Sequence, residues 1–66
     1  MRLKHKMLNH IMIDKSMKLR RLQELTGISK ATLSAVKNGK TCSFATAAKI
    51  AKALDVDVME LIEQEV

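Results

Sequence analysis

Leu22 to Gly39 reads LQELTGISKATLSAVKNG: a short helical pattern, a glycine break at Gly27, and a second helical pattern closed by Asn38-Gly39. That spacing predicts a helix-turn-helix, a unit able to push its second helix into the major groove of DNA. Glycine at position 27 enters the left-handed conformation without the Cβ clash other residues meet, so it sets the end of the first helix. Ile28 then plugs the turn, and Ser29 is a good N-cap for the second helix, expected from about Ser29 to Lys37 with Leu33 and Val36 facing inward. Its outward face holds Ser29, Lys30, Ala31, Thr32, Ser34, Ala35 and Lys37, and no acidic residue occurs between Ile28 and Asp55 to repel phosphates.

The flanking sequence has the same helical character. Leu3, Met7, Leu8, Ile11 and Met12 form one apolar arc predicting helix 1, with Ile13 off the arc and Met17 anchoring the linker. Helix 2, roughly Lys18 to Leu25, has Leu19, Leu22 and Leu25 at three-residue steps. Ser43 caps a fourth helix lined by Phe44, Ala47, Ala48, Ala51 and Leu54. Asp57 and Glu60 suggest a variant capping box opening helix 5, whose apolar side is Val58, Leu61, Ile62 and Val66. With 66 residues, no proline, two glycines and 2% aromatics, the chain is expected to be a single all-α domain of five helices spanning 1–66.

Charge is unevenly spread. Residues 1–40 carry ten lysines and arginines against two acids, a net +8, while residues 41–66 carry two against five, a net −3. The positive half contains the helix-turn-helix, and a polyanion is the natural partner for it because each neutralised phosphate releases condensed counterions. A solvated basic face is the plain alternative.

Two strings, LxxxxGISxxTLSxxxNGK from Leu22 to Lys40 and IAKALDVDVMELIE from Ile50 to Glu63, resemble the helix-turn-helix family of phage Cro proteins and repressors, the XRE-like group. The resemblance implies a phage-repressor-like domain of five helices with the motif at helices 2 and 3. It implies a transcriptional regulator binding double-stranded DNA, a repressor acting by operator occupancy. Carried over residue by residue, base reading falls on Ser29, Lys30, Ala31, Ser34 and Ala35. Phosphate contacts fall on Arg20, Arg21, Lys37, Asn38 and Lys40, and the Thr32 hydroxyl can chemically bond to a phosphate as well. Lys18 joins them because Lys18-Leu19 stands where the family often has a threonine cap followed by a phosphate-binding glutamine. Gln23 replaces the family's small alanine, and either crowds the contact between helices 2 and 3 or tips outward. Chemically, Lys30 can donate to guanine O6 or N7, and Ala31 or Ala35 can pack on a thymine methyl. With no Arg, Gln or Asn early in helix 3, bidentate contacts are few, and modest specificity is expected, helped by DNA shape and a dimer partner.

Other chemistry finds little support. His5 and His10 are five apart, the wrong spacing for a metal pair on one helix face, and Cys42 has no second cysteine. No nucleophile, base and oxyanion site assembles, so neither enzyme, metal nor cofactor is expected. The five methionines read as core filler. No apolar run suits a membrane span or a signal peptide, a single cysteine suits a reducing interior, and the expected location is the cytoplasm. No segment is reserved for sensing a small molecule, so no effector is expected. Homodimerisation on DNA is expected through Met59, Ile62 and Val66. The rival reading is a helical interaction module or antitoxin-like partner protein using helix 5 as its contact surface.

Overall fold

A computed structural model describes residues 1–63. Five helices follow in order: α1 (His5–Asp14), α2 (Leu19–Thr26), α3 (Lys30–Lys37), α4 (Phe44–Ala53) and α5 (Val58–Leu61). They pack in a closed circuit, α1 on α3, α3 on α2, α2 on α4, α4 on α5 and α5 back on α1. Leu3, Leu8, Met12, Leu22, Leu33, Val36, Ala47, Ile50, Ala51, Leu54 and Leu61 fill the centre. Ala47 and Ala51 belong to that core, and their small side chains let α4 approach its neighbours closely.

Each helix boundary has a local cause. Ser29 and Ser43 cap α3 and α4, their hydroxyls accepting from the backbone N–H of Thr32 and Thr46. Asp57 caps α5 by accepting from the Met59 N–H at 2.9 Å, two residues on, so the contact expected with the Glu60 position shifts by one. Three helices exit through a left-handed residue followed by an N–H that reaches five residues back. At α3 the residue is Gly39, with Lys40 N bonded to Ala35 O. At α1 it is Ser16, with Met17 N bonded to Met12 O, and at α4 it is Asp55, with Val56 N bonded to Ala51 O. Gly27 ends α2 at φ 71° with a single bond to Gln23 O.

The structure corrects several expectations. Leu3 is buried but lies before α1, in an isolated antiparallel bridge with Ile62. Helix 5 is one turn long, because Ile62 is extended (φ −77°, ψ 127°) and pairs with Leu3, so Ile62 half-buries against the core rather than continuing a helix face. Val66 lies outside the described residues. Leu25 is 46% exposed. Three-residue steps drift about 60° each around a helix of 3.6 residues per turn, so a stripe centred on Leu22 has rotated out by Leu25. Phe44 is 53% exposed because, as the first residue of α4, its side chain leans towards the helix N-terminus and past the edge of the core. Of the methionines, Met12 is buried and Met17 packs against the core, whereas Met1, Met7 and Met59 are exposed. Ile13, off the helix 1 arc, is exposed as its position implies.

Candidate nucleic-acid interface

The position of α3 is set from three sides. Leu33 and Val36 bury against the core beside Leu22 of α2. At the elbow, Thr26 Oγ1 donates to Leu22 O at 2.8 Å and accepts from the Ile28 N–H at 3.2 Å, closing the turn around Gly27. At the far end Asn9 Nδ2 donates both to His5 O, at 2.9 Å, and to Lys37 O, at 3.2 Å, tying the last turn of α3 to α1. Gly39 completes this end: at φ 90°, an added Cβ would lie 3.1 Å from His5 Nδ1. Sequence reasoning does not single out Thr26 and Asn9 as supports of the site. A lone threonine or asparagine on a helical stretch carries no pattern that distinguishes it from a solvated residue.

Of the expected base-reading residues, Ser29, Lys30 and Ala31 are exposed together at the start of α3, and Ser34 and Ala35 are half-buried farther along. Lys30 forms no ion pair among the described residues, so its ammonium is free to meet an acceptor. Ser29 and Thr32 are mutually engaged: Ser29 Oγ donates to Thr32 Oγ1 at 2.9 Å and accepts from the Thr32 N–H at 3.3 Å. The cap therefore holds both hydroxyls at the leading end of the helix, with acceptor lone pairs and the Thr32 proton still available.

The expected phosphate residues form two groups. Lys37, Asn38 and Lys40 mark the end of α3, the two latter exposed. Lys18, Arg20 and Arg21 mark the start of α2, Lys18 being its extended N-cap residue. A partner that sequence reasoning leaves out sits beside this second group. Glu24 meets Arg21 Nη1 at 3.3 Å and Arg20 Nε at 3.9 Å, so one carboxylate engages both arginines. The pairs are exposed, with the Arg20 side chain 92% accessible, and such pairs hold weakly enough for a phosphate to displace the carboxylate. Gln23 is half-buried and, with Arg20, Glu24, Gly27, Ile28 and Ser29, lines a surface depression of about 400 Å³ at the elbow. It lies outside the buried core, on the surface of the elbow. Leu19 is half-buried and packs against the core, so the position that lacks the family's polar residue serves packing.

Among the described residues no group of three His, Cys, Asp or Glu could hold a metal ion. Burial pushes the Cys42 thiol above its ordinary pKa, against the lowering influence of the nearby Met1 ammonium. No helix among the described residues is long and apolar enough to cross a membrane.

Residues 7–65 match the family model of the Cro/C1-type HTH DNA-binding domain, which takes in all five helices but for the first two residues of α1. Searches of the curated proteins and of the solved structures found no match.

Proposed function

Since this chain belongs to the Cro/C1-type HTH DNA-binding domain family, a family of DNA-binding regulators without enzymatic activity, we propose that it acts as a sequence-specific transcriptional repressor by occupying an operator. In this reading α3 enters the major groove of double-stranded DNA. The observation that carries it is the leading end of α3, where Ser29, Lys30 and Ala31 are exposed on a helix whose other side is fixed by Leu33 and Val36. Eight residues give a helix about 12 Å long, short enough to lie within one groove. Lys30 reads guanine, Ala31 and Ala35 meet thymine methyls, and Ser29 and Ser34 complete the base-edge contacts. Lys18, Arg20, Arg21, Thr32, Lys37, Asn38 and Lys40 grip phosphates on either side.

So few base contacts in one copy favour a homodimer on DNA, with two α3 helices about 34 Å apart on successive major grooves. Met59, 53% exposed on α5, is the exposed apolar residue of this proposed interface, together with the half-buried Ile62; Val66, the third, lies outside the described residues. The interaction-module reading would fit an acidic or apolar outer face on α3, whereas that face exposes Ser29, Lys30 and Thr32.

Selection of bound duplexes from a random pool tests the proposal. A recovered two-fold symmetric motif with half-sites one helical turn apart is the expected result. Recovery of no motif, with binding indifferent to sequence, overturns operator recognition.

A further inference from the structure

We propose that Met1–Lys6, a segment that begins before the family match, is a second DNA-contacting element: a phosphate-binding strip held beside the loop that follows α3. The inference rests on the DNA-binding reading above and extends the interface to residues nothing there assigned.

The geometry that carries it is a set of backbone clamps. Met1 N donates to Cys42 O at 3.0 Å, and Cys42 N donates to Met1 O at 2.7 Å, fixing the start of the chain to the α3–α4 loop. Lys4 N donates to Leu61 O at 2.7 Å and Glu63 N donates to Arg2 O at 2.9 Å, on either side of the Leu3–Ile62 bridge. Leu3 is buried at the bridge, whereas Arg2 and Lys4 on either side of it are exposed. The next residue, His5, lies against Gly39, and Asn9 reaches Lys37 O. The segment is therefore anchored at residues 39 and 42, immediately beside Asn38 and Lys40 of the phosphate group.

Charge points the same way. Arg2, Lys4 and Lys6 are all exposed and none forms an ion pair among the described residues, although Glu63 lies across the bridge from Arg2. A core-anchored segment that exposes Arg2 and Lys4 beside the Leu3 bridge and Lys6 in the first turn of α1, next to Lys40, extends the same positive track. Because the segment's backbone is held in place before binding, little backbone ordering entropy is lost when phosphates dock.

The test uses the full chain and a fluorescent random-sequence duplex, with affinity followed against salt. Replacing the three cations together as Arg2→Gln, Lys4→Gln and Lys6→Gln keeps Leu3 and the backbone clamps. For every phosphate no longer neutralised, the slope of log affinity against log salt is expected to fall by about 0.9, giving a total fall of about 1 to 3. Lys49→Gln with Lys52→Gln, two exposed cations on α4, is expected to leave the slope unchanged. An unchanged slope in the triple variant, or an equal fall in both variants, overturns the proposal while leaving the DNA reading intact. Failure of the unaltered chain to bind any duplex overturns both. A second measurement needs no variant: bound duplex is expected to protect Lys4 and Lys6 from acetylation and to leave Lys49 and Lys52 reactive. Equal modification of Lys4 and Lys6 with and without duplex overturns the proposal.

Discussion

Gly39 and Gly27 are both left-handed, yet their surroundings differ, and the difference is measurable. Gly27 has open space where a Cβ would stand, so Gly27→Ala costs the conformational penalty alone, about 1–2 kcal/mol. At Gly39 the same change also drives a methyl onto the His5 ring. We expect Gly39→Ala to destabilise more than Gly27→Ala in chemical denaturation, and His5→Ala to recover part of the Gly39→Ala loss; equal losses for the two glycines would contradict the packing. Glu24 gives a second prediction. If Arg20 and Arg21 grip phosphates as proposed, Glu24 competes for them, so Glu24→Gln should tighten binding to every duplex, selected or random, whereas Arg20→Ala should weaken all alike. Weaker binding by Glu24→Gln would mean that the carboxylate positions the arginines instead of competing for them. At Cys42, burial disfavours the thiolate, so alkylation should be slow near neutral pH and accelerate only at pH above the ordinary thiol range. Rapid modification near neutrality would contradict the burial. The caps at Ser29 and Ser43 and the turn at Gly27 are legible in the sequence because each residue type has a specific backbone use. Asn9, Thr26 and Glu24 are not, since their roles depend on which distant or neighbouring group the fold brings near.

At the level of the helices, their number, order and approximate bounds follow from apolar periodicity, and the elbow between α2 and α3 follows from its glycine. The errors cluster at the ends. A periodic pattern does not register where a strand bridge captures residues, so Leu3 and Ile62 read as parts of helices 1 and 5 although they pair with each other. Leu25 shows how a three-residue repeat mimics a face over two turns and then leaves it. The exits of α1 and α4 are hidden because Ser16 (φ 53°) and Asp55 (φ 57°) adopt the conformation usually given to glycine. Ser16→Gly and Asp55→Gly should each therefore stabilise the fold by about 1 kcal/mol, the relief of the Cβ clash exceeding the entropy added to the unfolded chain. In a domain of this size that corresponds to a rise in Tm of several degrees. A fall in Tm for both would show that the side chains themselves hold those turns.

The described residues form a closed circuit of helices around a small core, with the chain's positive charge concentrated in residues 1–40, which carry the N-terminal segment, the elbow and α3. With a core this small, removal of a central side chain is serious. Leu22, fully buried where α2 meets α3, should cost about 2–5 kcal/mol when replaced by Ala, a large share of the stability of any small domain. The association of α3 with the major groove is the central claim, and Lys30→Ala tests it most directly. Binding should be measured for the unaltered chain and the variant on the selected duplex and on copies altered at one base pair at a time. The account predicts that Lys30→Ala loses discrimination at a single base-pair position in each half-site and keeps it elsewhere. A uniform weakening across all duplexes, with every base preference retained, would place Lys30 on the phosphates and contradict the assignment of α3 as the reading helix.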